Sequence, residues 1–210
     1  MNTAISAKQP RGQAREKLLE AALKLIRARG YSATSVDDLC KEAGVTKGAF
    51  FHHFPTKDAL AVAAADHWSA MTSALFASAS YHNHARPLDR VLGYVDFRRD
   101  LLRGELWEFT CLVGTMTQEI YGSQNDIRAA CEASICGHAA TLEADIEAAL
   151  HNHKISAIWT AQSLALHTQA VLQGAFILAK ATGNAALAIE SAEHLKRYIK
   201  LLFSQPIGSH

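Results

Sequence analysis

The stretch Thr46-Lys47-Gly48-Ala49-Phe50-Phe51-His52-His53-Phe54 is where residue types and spacing in this 210-residue chain point most directly to chemistry. Reading a DNA duplex through its major groove takes a short helix with small or basic side chains at its leading edge and an apolar rear face. Gly48 and Ala49 would let backbone approach a groove closely, and Lys47 can reach a guanine edge or a phosphate. Phe50 and Phe54, four apart, fall on one face of a helix and would anchor it to a scaffold. Thr46 is placed to cap the helix, and a capped start also offers free amides to a phosphate. The two phenylalanines would suit an ordinary core equally well; the small, basic leading edge sets the segment apart.

Other reactive residue types form no comparable pattern. Cys40, Cys111, Cys131 and Cys136 show no CxxC spacing and are too few for a disulfide scaffold in a chain of this length. Cys131 and Cys136 are five apart on one helix, which separates their side chains, and Cys40 lies in an apolar stripe as a small core residue. The pairs His82/His84 and His151/His153 diverge on a helix and have no third ligand by spacing, so no metal site is expected. There is no Glu-x-x-His pair and no glycine-rich phosphate loop, so neither catalysis nor a cofactor is expected. Aromatic and polar residues that would line a ligand cavity are Phe97, Trp107, Phe109, Met116, Trp159, His167, Gln173 and Phe176.

Charge separates the chain into two parts. Met1–Lys57 holds ten basic against five acidic residues, while the whole chain carries a formal +1, so a basic segment sits on a mildly acidic remainder. A nucleic-acid-binding head on a separate body would show this asymmetry, although a solvated helix face would too. Charged, His or Gln residues interrupt every apolar stretch before about 18 residues, which argues against a membrane span. Met1–Pro10 lacks the apolar core of a secretory signal, and a reducing cytoplasm is the expected compartment.

The elements that must position these residues read as all-α, because apolar residues recur every three or four positions and strand alternation is almost absent. A first helix spans about 13–29 and ends at Gly30. Thr34, with Asp37 three residues on, predicts a capping box for a short second helix. Gly44 forces a turn, Lys47 to His53 form a third helix stopped by Pro55, and Thr56 caps a fourth that runs to about Ala79. Longer helices are expected at about 87–103, 107–121, 124–152, 155–182 and 185–203, giving nine in all. The predicted division is a helix-turn-helix domain over 1–55 and a helical ligand-binding and dimerisation domain over 56–210. A dimer would use the last two helices through Leu164, Ala165, Thr168, Leu172, Ala175, Phe176 and Ala179, with Ala188, Ala192, Leu195, Ile199 and Leu202.

The runs Thr34–Leu39, Ala43–Gly48 and Phe51–Leu60 resemble the DNA-binding head of the tetracycline-repressor (TetR) family, with more than ten positions agreeing between about Arg11 and Leu60. The resemblance implies a homodimeric transcription regulator that binds a double-stranded, palindromic operator and is released by a small-molecule effector. It places Lys47, Gly48 and Ala49 at base-facing positions, and Thr34, Thr46, His52, His53 and Lys57 where phosphates or bases are touched. Phe51 departs from the tyrosine usual there and offers apolar contact only. Arg11 and Arg15 could reach the DNA backbone or a minor groove. Cys111-Leu112-Val113-Gly114, with Glu119 two turns later, resembles a subgroup in which a cysteine here senses electrophiles or oxidants. That would need a thiolate and solvent access, favoured by a helix start and by a nearby cation such as Arg98, Arg99 or Arg103. A helical carrier or bundle enzyme remains as an alternative, but it leaves the basic head unexplained.

Overall fold

A computed structural model describes residues 11–204, with side chains from residue 13 onward, so the expectations for Met1–Pro10 and for the Arg11 side chain lie outside the described residues. Eleven α-helices and no strand are found among them: α1 (Arg11–Arg29), α2 (Val36–Ala43), α3 (Lys47–His53), α4 (Lys57–Ala77), α5 (Pro87–Asp100), α6 (Leu106–Phe109), α7 (Leu112–Ile120), α8 (Asn125–Ala140), α9 (Glu143–His153), α10 (Ala161–Thr182) and α11 (Ala186–Ser204). A short 3₁₀ turn at Ser80–Asn83 precedes α5. The all-α class is as expected, and the first four helices begin and end within two residues of the sequence reading, except at their caps. No helix among the described residues is long and apolar enough to cross a membrane.

Breaks in helices expected to be continuous account for the higher count. The predicted 107–121 helix is interrupted where Thr110 and Cys111 take extended backbone, and Cys111 becomes the N-cap of α7, its sulfur accepting from Gly114 N–H at 3.4 Å. The predicted 124–152 helix tightens at Thr141, whose N–H bonds His138 C=O, and restarts as α9. The predicted 155–182 helix starts only at Ala161, where Thr160 and Ser163 form a capping box. The α2 cap is Ser35 rather than Thr34: Ser35 Oγ accepts from Asp38 N–H and Asp38 accepts from Ser35 N–H. Thr34 is unavailable because its hydroxyl turns inward to donate to Gly30 C=O at 2.7 Å.

Two cores hold the site in place. The first joins Leu18, Ala22 and Ile26 of α1, Leu39 of α2, Phe50 and Phe54 behind α3, and Leu60 and Ala64 of α4 to Leu112 and Met116 of α7. The apolar interior of the head thus continues into the body without a gap. The second gathers Tyr94 and Val95, Ile146, Leu172 and Ile199 from α5, α9, α10 and α11. Together with a smaller third cluster of Leu102, Ala175, Phe176, Ala179 and Ala188, it also corrects the predicted dimer residues. From Leu164 to Ala179 on α10, and at Ala188, Ala192, Leu195 and Ile199, those side chains are buried within their own chain, because α10 and α11 pack on each other and on α5, α8 and α9; Leu202 is half-buried. The large apolar residues that these two helices leave exposed are Leu166, Ile177, Leu178, Ile189, Tyr198 and Leu201.

Candidate nucleic-acid interface and effector cavity

α3 presents one face outward and clamps the other. Phe50 is 0% exposed and Phe54 is buried, with ring centroids 6.1 Å apart. Thr46, Lys47, Gly48, Phe51 and His52 are exposed, and Ala49 and His53 are half-buried. Thr46 Oγ1 accepts from Ala49 N–H at 3.2 Å, which fixes the first turn. A Cβ on Gly48 would meet nothing closer than Thr46 Oγ1 at 3.8 Å, so internal packing does not require glycine there, even though glycine weakens a helix by about 1 kcal/mol. Lys47 pairs with Asp37 at 2.7 Å; both side chains are exposed, and such a pair is worth little and easily exchanged for a phosphate or base. Phe51, 54% exposed, stands edge-on to Phe50 and is free to touch a methyl or a sugar. Arg15 lies over the Phe54 ring at 5.5 Å.

Two residues assigned to this face point elsewhere. Thr34 is 1% exposed and engaged with Gly30, as described above. Lys57 Nζ donates to the carbonyls of Tyr31 (3.2 Å) and Thr34 (3.1 Å) and sits 4.0 Å above the Tyr31 ring. An ammonium drawn to two inward carbonyls and an aromatic face ties down the Tyr31–Ser35 turn, so Lys57 positions the head instead of reaching outward. Glu119 of α7 holds the same turn from the body, its carboxylate accepting from Tyr31 N–H at 3.0 Å and Ser32 N–H at 2.8 Å.

Behind the head lies a cavity of about 270 Å³ between α1, α4, α5, α7, α8 and α10. Its apolar walls include Trp68, Phe76, Phe109, Ile135 and Phe176; its polar groups are the hydroxyls of Thr72 and Ser134 together with Arg27, Arg98, Glu108, His138, Gln169 and Gln173, with Cys111 at one side. A second space of about 390 Å³ opens on the other side of Cys111, Gln173 and Phe176 and reaches Glu119 and Lys180. Of the expected lining residues, Cys111, Phe109, Gln173 and Phe176 are at the cavity, whereas Phe97, Trp107, Met116, Trp159 and His167 are not. Phe97 packs one layer behind, edge-on to Phe76, and Met116 is wholly within the first core. Trp107 lies beside Lys24 and Arg27, Trp159 packs on Phe203, and His167 packs on Tyr198.

Of the cations expected beside Cys111, Arg98 lines the same cavity and Arg103 does not. Arg99 is taken up by Asp96, Asp100 and Glu193. Arg27 and Lys180 take its place: burial lowers the pKa of both, and the charge of Cys111 opposes that shift in each. Polar cavity residues that the sequence reading missed are His138 and Gln169. Gln169 Nε2 donates to Tyr94 Oη at 2.8 Å, and Tyr94 Oη lies 3.0 Å from His138 Nε2. Burial and the adjacent Arg98 push the His138 imidazole down to about 4, so it is neutral at pH 7. Gln169 is only 4% exposed, and the one signal for it in the sequence is a polar residue within the mainly apolar stripe of α10.

A capped reading helix on a helical body enclosing a cavity defines the class of ligand-regulated helix-turn-helix proteins. Residues 18–64 match the description "Bacterial regulatory proteins, tetR family", and residues 87–194 match "Transcriptional regulator LmrA/YxaF-like, C-terminal domain". The chain belongs to the TetR family of transcriptional regulators. Among curated relatives it is similar to the transcriptional regulator AcuR of Cereibacter sphaeroides, 29% identical over 58% of this chain and 58% of AcuR, so the match spans less than two thirds of that protein. It is also similar to the HTH-type transcriptional repressor NemR of Escherichia coli strain K12, 24% identical over 91% of this chain and 94% of NemR. The fold is shared with the reduced form of E. coli NemR (TM-score 0.78, 24% identity, 93% of this chain and 99% of that one). It is shared equally with a TetR-family regulator from Agrobacterium tumefaciens (TM-score 0.80, 21% identity, 90% and 98% covered).

Proposed function

We propose that this chain is a cytoplasmic repressor that binds a palindromic operator as a homodimer and leaves it when a small molecule or an electrophile reaches the cavity. The observation that carries this reading is the outward face of α3, where exposed Lys47, Gly48, Phe51 and His52 are backed by buried Phe50 and Phe54. Lys47 and the bare backbone at Gly48 and Ala49 meet bases; Thr46, His52 and His53 meet phosphates; Phe51 lies against a thymine methyl or a sugar. One such helix reads few base pairs, so two heads are joined through the apolar residues that α10 and α11 leave uncovered, among them Leu166, Ile177 and Tyr198.

Cys111 supplies the electrophile response. It caps a helix start, borders both cavities and stands near the cations Arg27 and Lys180, so an electrophile that enters either space meets the sulfur. With iodoacetamide as probe, sulfur attacks the methylene carbon, the S–C bond forms, iodide leaves and the thiol proton passes to solvent. The relative solved in its reduced form is in keeping with such a thiol.

Gel shifts on the DNA upstream of the protein's own gene test the reading. Lys47→Ala is expected to weaken operator binding by about 1–3 kcal/mol while leaving binding to unrelated duplexes nearly unchanged. Iodoacetamide is expected to release wild-type protein but not Cys111→Ser. An unchanged operator affinity in Lys47→Ala would overturn the placement of the reading helix, and equal release of both proteins would remove Cys111 from the response.

A further inference from the structure

We infer that the cavity selects a small organic anion, a carboxylate on an apolar body, with Arg98 as its counter-charge. This rests on the reading of the cavity as the effector site and names what that site prefers.

Arg98 differs from the other arginines of its helix. Arg90 pairs with Asp145, and Arg99 pairs with Asp96, Asp100 and Glu193. Arg98 has no ion pair and no hydrogen bond among the described residues; its guanidinium lies 5.4 Å from the Phe76 ring and 5.6 Å from the Phe176 ring, two walls of the cavity. Aromatic faces attract a cation but do not neutralise it, and a half-buried cation without an anion is costly.

The remaining polar wall adds to the same demand. Arg27, the second cation, donates two of its five N–H groups to the carbonyls of Leu23 (2.8 Å) and Glu108 (2.9 Å), and its charge feels the Glu108 carboxylate at a distance without an ion pair to it. The Glu108 carboxylate is turned aside to accept from Glu105 N–H at 2.7 Å. Gln169 donates to the Tyr94 oxygen, which lies within hydrogen-bond distance of His138 Nε2. With the Tyr94 hydroxyl donating to Nε2, the neutral imidazole offers its N–H at Nδ1, which has no hydrogen-bond partner among the described residues. Guanidinium and imidazole N–H groups call for acceptors, and the unpaired Arg98 charge favours an acceptor that is itself an anion, which a carboxylate is. The Trp68, Phe76 and Phe109 walls then cover a hydrocarbon or aromatic body, and about 270 Å³ limits it to a small one.

Calorimetric titration of the full-length protein tests this with benzoate and 3-phenylpropanoate against benzamide and 3-phenylpropanamide. The acids are expected to bind at least about tenfold more tightly than their amides, the scale of one charge-assisted contact. Arg98→Gln is expected to remove that preference and Arg98→Lys to retain part of it, whereas Arg103→Gln, which deletes an exposed cation outside the cavity, should keep it whole. Equal binding of acid and amide, no binding of either acid, or equal losses in Arg98→Gln and Arg103→Gln would each overturn the proposal. Circular dichroism and operator binding of Arg98→Gln show that the variant is folded. Iodoacetamide release, which needs Cys111 and not Arg98, reports separately on the effector-site reading.

Discussion

Phe50→Ala is expected to lower the stability of the protein by about 3–5 kcal/mol and to take operator binding down with it. Phe50 is fully buried where α1, α2 and α3 meet, in contact with Phe54 and backed by the α1 stripe of Leu18 and Ala22. Removing the ring deletes most of the apolar area that fastens α3, and a seven-residue helix has little stability of its own. Close packing by the second phenylalanine and by three other helices leaves the cavity little room to collapse. Phe51→Ala is the matched control: the same deletion one residue away, on an exposed ring, should shift stability by no more than about 0.5 kcal/mol. Urea unfolding of the two variants checks this. A loss below about 1 kcal/mol for Phe50→Ala would mean that α3 is held by something other than its aromatic rear.

Gly30→Ala is the second large effect expected. Gly30 has φ +94°, a conformation that non-glycine residues rarely adopt, and this strain alone costs about 1–3 kcal/mol. A Cβ there would also collide with the Glu119 carboxylate. Glu119 would have to give up its hydrogen bonds to Tyr31 N–H and Ser32 N–H, the direct polar tie between α7 and the turn after α1. Lower stability and a weaker release of operator by iodoacetamide are therefore expected together. Glu119→Gln separates the two: it relieves no backbone strain and creates none, yet it weakens the same tie by removing the charge. Unfolding midpoints and gel shifts on both variants check the result, and an unaltered release in both would show that this tie carries no signal.

Local chemistry made the head legible in the sequence. Gly44, Thr46 and Pro55 each act within a few residues, and α3 runs from Lys47 to His53 as they dictate. The cap of α2 was misplaced by one residue because Thr34 and Ser35 are both good caps, and only the inward bond to Gly30 removes the first. In the body the helical periodicity was right, but the breaks were hidden. Nothing local distinguishes Thr110-Cys111 from helix, and the kink that makes Cys111 a cap is set by packing of α6 and α7 on α1. The cavity was only partly legible for a related reason. Trp159 and Met116 have the composition of a lining, but which helix faces converge depends on contacts far apart in sequence. Arg98, His138 and Gln169 are polar residues that gain their meaning only once those faces meet.

Arg27 gives α1 two duties at once. One of its turns is a wall of the cavity, and twelve residues earlier Arg15 rests on Phe54 at the back of the reading helix. At about 1.5 Å per residue these points are roughly 18 Å apart on one stiff rod. Such a rod behaves as a lever: a tilt of about 5° at the wall swings the far end by roughly 1.6 Å. In the proposed dimer, that swing, mirrored by a second subunit, would change the separation of two heads set to straddle half-sites about 34–36 Å apart, so a tenant too small to disturb the core would still put the pair out of step with the double helix.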